Sequence, residues 1–320
     1  MALAVRVHEP TLSPSQAALR HAALQGFAAS PKAISPKFFY DHAGSQLFEL
    51  ICRQPEYYPT RTEETILRLA AADIAALAGR NVSLVELGSG ASRKIRLLLE
   101  ALRPARYLGI DISREFLHAS THRLAADYRW LDVHALCADF SQPLKLPAEI
   151  LGGRPLAFFP GSSIGNFDPE QAQAFLRNLH RALPSGSGLL IGVDLVKDRQ
   201  VLERAYNDAA GVTARFNLNL LERIRRELDS DIDPRLFQHQ AFYNETESRI
   251  EMHLVSLRAQ RVRIEDHWFD FAAGETLHTE NSYKYTPARF RALAAQCGFT
   301  SEAMWRDPAQ LFSVHFLRRQ

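Results

Sequence analysis

From residue 61 onward, short apolar runs of strand length alternate with stretches whose apolar residues recur every three or four positions. That alternation is the pattern of a parallel sheet joined by crossover helices. It predicts helices at 62–78, 92–102, 114–127 and 169–183, and strands at 83–87, 106–110, a run ending near Ala138, 156–160 and 189–195. Between 197 and 286 the alternation breaks. Two helical stretches there precede β-patterned segments at 241–243, 249–257 and 261–271, so the interval reads as an insertion. A helix at 287–297 and strands at 301–306 and 311–317 follow, the two strands forming an antiparallel hairpin on the sheet edge. Upstream, Leu19, Ala23 and Phe27 mark one face of a helix starting near Ser13-Pro14, whereas the first dozen residues carry no period. The aromatics of Pro55-Glu56-Tyr57-Tyr58-Pro59 sit too close to prolines for a regular helix.

Composition narrows the partners. Of 320 residues, 46% are hydrophobic and 23% charged, a globular balance, and 38 Lys and Arg nearly cancel 36 Asp and Glu to leave a net charge of +2. No global field favours nucleic acid or an anionic membrane, so a small-molecule partner is the expectation. The basic runs Arg223, Arg225, Arg226 and Arg318, Arg319 read as solvated faces. Three scattered cysteines, Cys52, Cys137 and Cys297, without a C-x-x-C pair fit a reducing cytoplasm. No apolar run approaches the length of a membrane span, and no cleavable leader pattern is expected at the N-terminus.

The candidate chemistry begins at Leu84-Val85-Glu86-Leu87-Gly88-Ser89-Gly90, a β-rich run entering a glycine turn where the backbone can bend tightly and approach a ligand. A dinucleotide fingerprint would place a third glycine where Arg93 stands, which argues against a nicotinamide enzyme. After the second strand, Asp111 lies where a carboxylate accepts from ribose hydroxyls. The third strand ends in Asp139-Phe140, an acid and an aromatic face suited to adenine. This ordered set resembles the class I S-adenosylmethionine methyltransferases.

Further segments resemble one family, the histidine-specific Nα-methyltransferases of ergothioneine biosynthesis. They are Pro36-Lys37-Phe38-Phe39-Tyr40-Asp41, the aromatic turn at 55–63, residues 85–90, Gly161-Ser162-Ser163-Ile164-Gly165-Asn166, 194–198, 205–213, Arg249-Ile250-Glu251-Met252 and 271–282. The resemblance implies an α/β, Rossmann-like core at 61–196 and 287–320, an inserted α+β substrate-binding lobe at 197–286, and an N-terminal helical segment at 1–60 contributing to that lobe. It implies S-adenosylmethionine (SAM) binding by Gly88, Lys94, Asp111, Asp139 and Phe140. Tyr57, Asn166, Tyr206, Met252, Glu280 and Ser282 would hold L-histidine, with Asn166 and Tyr40 at the reacting amine. Tyrosine hydroxyls suit the carboxylate, Asn166 the amine, and Glu280 with Ser282 the imidazole nitrogens. The two are i and i+2, hence on one side of an extended segment. The implied product is trimethylhistidine, whose quaternary ammonium would rest against Tyr40 or Phe167.

Three alternatives stay open at this stage. Ring-pocket residues decide between histidine and another amino acid such as a tryptophan derivative, and a SAM-binding homologue without turnover would keep the same fold. A metal hydrolase is a third reading, from His118 and His122 at i and i+4 and His278 near Glu280, but neither arrangement completes a ligand set, and no metal is expected.

Overall fold

The computed structural model describes residues 5–8, 16–152 and 154–320. The expected start of the first helix near Ser13-Pro14 lies outside them. Among the described residues the chain divides into two compact units: 5–8, Pro59–Val196 and Tyr283–Gln320 form one, 16–58 and Lys197–Ser282 the other.

The first unit is built on an eight-stranded sheet in the order Arg6–His8, Asp132–Cys137, Arg106–Asp111, Val82–Leu87, Arg154–Phe159, Gly188–Asp194, Phe312–Arg319, Phe299–Arg306. The first six are parallel, and Phe312–Arg319 runs antiparallel between Gly188–Asp194 and Phe299–Arg306. The expected hairpin is therefore present, with Phe299–Arg306 on the edge. Strand order reverses at Val82–Leu87, whose next neighbours in sequence lie on one side and later ones on the other. Such a switch point opens a crevice beyond the strand ends, where α/β proteins bind ligands. All six residues of Val82–Leu87 are buried. Their side chains alternate between two apolar layers: Val85 and Leu87 join Phe159, Phe175 and Ile191, while Leu84 joins Ile66, Leu98 and Phe158. This is a doubly wound, Rossmann-like α/β core.

The second unit carries a four-stranded sheet in the order Lys32–Ala33, Thr276–Tyr283, Arg249–Ser256, Phe237–Asn244. The amphipathic helix Val212–Glu227 buries Phe216, Asn217, Leu220, Leu221 and Ile224. Helices Gln16–Ala28, His42–Ile51 and Arg199–Tyr206 complete the unit with the two-stranded ribbon of Gln260–Ile264 and His267–Phe271. The rings of Phe269 and Phe271 meet Phe27 edge-on at 5.7 and 5.6 Å.

Several local expectations are corrected. The helix Tyr58–Ala78 begins inside the aromatic turn, because a proline in a helix's first turn lacks only a hydrogen that would have no partner there. The helix expected at 92–102 starts at Arg96, after Ser92 takes a φ of +50°. The segment expected at 261–271 is split by a turn with Glu265 at φ +53°. Arg6–His8 pairs with Asp132–Cys137, which puts a strand where no period was visible and attaches it to the first unit's sheet.

Candidate active site

The first unit assembles its candidate residues at the switch point. Gly88 and Gly90 follow Val82–Leu87 with φ of +68° and +50°, the left-handed region glycine enters without a Cβ penalty. The N–H groups of Gly88 and Ser89 donate to the Ile110 carbonyl at 2.8 and 3.1 Å, tying the turn to the neighbouring strand. A Cβ on Gly88 would lie 3.5 Å from Cε1 of Phe140, so turn and ring are in contact distance. At the next strand end, Asp111 accepts from the Gly90 N–H at 2.9 Å and the Ser113 N–H at 2.9 Å. Burial raises its pKa, and those backbone bonds oppose the rise. Asp139 accepts from the N–H and Oγ of Ser141 at 2.9 and 2.6 Å. Phe140 packs on Phe159, Phe175 and Phe167.

Lys94 is held from below. Its Nζ lies 2.6 Å from Oε2 of Glu63, a fully buried carboxylate that also accepts from the Gly161 N–H at 2.8 Å. Gly192 makes room for that carboxylate: a Cβ there would lie 2.0 Å from Glu63 Oε1. Beneath the glycine turn, Glu86 is buried and accepts from the Tyr107 hydroxyl at 2.6 Å. Burial pushes its pKa up to about 8, with the Tyr107 bond and the charge of Lys94 opposing. Glu86 is marked in the sequence as the acid of the acid-and-glycine motif, whereas Glu63 acts across the fold and leaves no local signal.

Asn166 is half-buried and ends the short 3-10 turn Ser163–Asn166, entered through Ser162 at φ +59°. Ser162 Oγ accepts from the Asp194 N–H at 2.9 Å. The next residue, Phe167, stacks on Phe175 at 5.2 Å within the cluster that contains Phe140.

The second unit brings together most of the other candidates. The Tyr206 hydroxyl donates to Ser282 Oγ at 2.7 Å, both groups buried. Tyr57 meets the Tyr206 ring edge-on at 6.2 Å, and its phenol pKa lies well above 10, because of burial first and then the neighbouring Tyr206, Cys52, Tyr40 and Glu280. Tyr40 packs against Phe48 and Phe216 at 5.7 Å each, and Phe48 continues to Tyr57. Along Thr276–Tyr283 the alternation of burial slips: Leu277 and Thr279 are buried, then Glu280 and Ser282. Thr279 and Glu280 are consecutive, so in a pleated strand they point to opposite faces, and both faces are covered here. Met252 is buried in the adjacent strand, and its carbonyl lies 3.0 Å from Thr279 Oγ1.

His278 bonds the Glu280 carbonyl through Nε2 at 3.0 Å and stacks on His253 at 4.6 Å, and His253 Nε2 lies 3.1 Å from Glu251. Burial pushes Glu251 up, but bonds from Asn244, Arg249 and His253 outweigh it and bring its pKa to about 2. Among the described residues, Glu251, His253 and His278 are the cluster whose ligand atoms lie within 4.8 Å of one another. Stacked rings point their lone pairs side by side rather than at one centre, and Glu251 is already bound by Arg249 at 2.7 Å. The cluster is better suited to hydrogen bonding than to ligation.

A family model described as a histidine-specific, SAM-dependent methyltransferase matches residues 19–319. The chain belongs to this family. It is similar to the histidine N-alpha-methyltransferases of Mycolicibacterium smegmatis, 46% identical over 93% of this chain and 94% of that protein, and of Mycobacterium tuberculosis, 44% identical over the same shares. The ergothioneine biosynthesis protein 1 of Neurospora crassa is 32% identical over 90% of this chain but only 33% of its own length. This methyltransferase therefore acts on histidine and depends on SAM. Its first unit fits that molecule: a glycine turn within contact distance of the Phe140 ring, followed by the half-buried Asp111 carboxylate, able to accept from ribose hydroxyls. Among the described residues, no helix is long and apolar enough to cross a membrane.

Proposed function

We propose that this methyltransferase methylates the α-amino nitrogen of L-histidine three times, giving Nα,Nα,Nα-trimethylhistidine (hercynine), the opening step of ergothioneine biosynthesis. Gly88, Lys94, Asp111, Asp139 and Phe140 hold SAM, and Tyr57, Asn166, Tyr206, Met252, Glu280 and Ser282 hold the amino acid. The observation that carries this reading is the buried cluster of Tyr57, Tyr206, Glu280 and Ser282, in which phenols, a carboxylate and a hydroxyl converge within one unit. Histidine presents a carboxylate, an amine and a two-nitrogen ring, and that set of groups meets each with a donor or acceptor.

SAM supplies an electrophilic methyl on a sulfonium. The chain's part is positioning: to present a neutral amine with its lone pair aligned and to keep its own donors in the right state. Tyr57 is suited to this, since burial keeps its phenol protonated and able to donate to the substrate carboxylate. Glu280 accepts from one imidazole N–H and Ser282 bonds the other ring nitrogen. Asn166 orients the amine, whose proton passes to water or a nearby polar group. Methylation stops when the nitrogen has no lone pair, and the aromatic faces of Tyr40 and Phe167 stabilise the cation by roughly 0.5–2 kcal/mol. We also take the enzyme to be cytoplasmic, since its three cysteines are scattered without a pair, and favour a monomer.

The test is to incubate purified protein with SAM and each of the twenty amino acids in turn and to follow product mass. Gains of one, two and three methyl groups on histidine alone support the proposal. Transfer to another amino acid moves the ring-pocket assignment, and transfer to none overturns the proposal.

A further inference from the structure

Behind Tyr206 and the strand Thr276–Tyr283 runs a buried hydrogen-bonded chain that the reading above does not use. Asn217, fully buried on the helix Val212–Glu227, donates from Nδ2 to the His253 carbonyl at 3.0 Å and to Nδ1 of His239 at 2.9 Å. Its Oδ1 accepts from Thr279 Oγ1 at 2.8 Å. The bonding fixes the Asn217 amide orientation and the His239 tautomer. A carbonyl oxygen only accepts, so the amide nitrogen faces His253, and the same nitrogen needs an unprotonated Nδ1 on His239. Nε2 of His239 therefore carries the ring hydrogen and donates it to the Tyr206 carbonyl at 2.9 Å. That carbonyl belongs to the last turn of Arg199–Tyr206, where helix carbonyls look outside the helix for donors. Burial lowers the pKa of His239, in keeping with a neutral ring.

Tyr206 donates in turn to Ser282, just beyond Thr279 on one strand, so the bonds close a circuit: Thr279 to Asn217, Asn217 to His239, His239 to Tyr206, Tyr206 to Ser282. We propose that Asn217 and His239 are positioning residues for amino-acid binding, holding Tyr206 and the 280–282 segment in the orientation that receives histidine. The inference rests on the pocket assignment made above. A buried polar network satisfied at every member rigidifies what it joins, and loss of one bond loosens the whole. Neither residue contacts the substrate in this account, and neither belongs to the SAM-binding unit.

The test is steady-state kinetics on His239→Phe, which keeps a ring and removes both bonds, and on Asn217→Leu. The expected result is a rise of about ten-fold in KM for histidine, with kcat changed less than about three-fold and affinity for S-adenosylhomocysteine unchanged. The double variant should be no worse than the weaker single, because members of one circuit are not additive. His239→Gln, able to donate and accept in the same directions, should recover most of the affinity. Should His239→Phe fail to fold, Thr279→Val removes one hydroxyl at constant shape and should give the same split. An unchanged histidine KM in these variants, or a parallel loss of kcat and both affinities without recovery in His239→Gln, overturns the proposal. Tyr206→Phe and Glu280→Gln belong in the same assay. If they leave the histidine KM unchanged, the pocket assignment itself has failed; if they raise it while His239→Phe does not, only the positioning role has.

Discussion

The carboxylate of Glu63 lies 2.6 Å from Nζ of Lys94, and the Gly161 N–H donates to the same oxygen at 2.8 Å. One buried acid thus joins the helix Tyr58–Ala78 to the segment after the glycine turn and to the strand end before Asn166. Lys94→Met would leave that charge buried without its cation, and a loss on the order of 3 kcal/mol is expected in denaturant unfolding. Gly192→Ala should also destabilise, by about 1–3 kcal/mol, since its Cβ would lie 2.0 Å from a carboxylate that is pinned from two sides.

Asp111 should carry SAM affinity. In Asp111→Asn, an amide nitrogen faces the N–H of either Gly90 or Ser113, and one acceptor is lost. A rise of about ten-fold or more in the dissociation constant for S-adenosylhomocysteine is expected by calorimetry, together with a lower unfolding temperature from the backbone N–H that loses its acceptor.

Glu86 sets a pH dependence. Its pKa is raised from 4.5 to about 8, so the folded protein keeps a proton that the unfolded chain releases above 4.5. The stabilisation is complete below 4.5 and is lost as pH rises toward 8, at up to about 1.4 kcal/mol per pH unit. Glu86→Gln keeps a carbonyl for the Tyr107 hydroxyl but cannot ionise. Its unfolding temperature should therefore gain on the parent between pH 5 and pH 8; parallel curves would show that Glu86 does not titrate in that range.

Lys284 and Asp194 form a fully buried ion pair at 2.9 Å, beside the bridge between Leu195 and Tyr285. Removing one partner by Lys284→Met should cost roughly 3–5 kcal/mol, and Lys284→Met with Asp194→Leu should recover part of it, because the second change removes the orphaned charge.

Tyr206→Phe removes the bond to Ser282 and leaves the ring packed on Tyr57. About a ten-fold higher KM for histidine is expected, with the affinity for S-adenosylhomocysteine unchanged. Equal weakening of both would point to a general loosening of the protein.

Much of the first unit was legible because its signals are local. A strand of buried aliphatics ending in glycines that need positive φ, and acids at the next strand ends, can be read from neighbours in sequence. What escaped depends on distance or brevity. Arg6–His8 is too short to show a period, and Glu63 meets Gly161 and Gly192 only after the sheet has formed. Asn217 did leave a trace, as a polar residue on the apolar face with Phe216, Leu220, Leu221 and Ile224, a placement that demands partners. The spacing of Glu280 and Ser282 put both on one side of the strand. The cover on both faces that buries Thr279 beside Glu280 could not be read from alternation alone.

The most direct measurement is the stoichiometry and position of transfer. Histidine labelled at the α-nitrogen, incubated to completion with excess SAM, should yield three equivalents of S-adenosylhomocysteine per histidine, with all three methyl signals coupled to the labelled nitrogen in the NMR spectrum. Methyl groups on the imidazole, or release of coproduct without a methylated amino acid, would contradict the account.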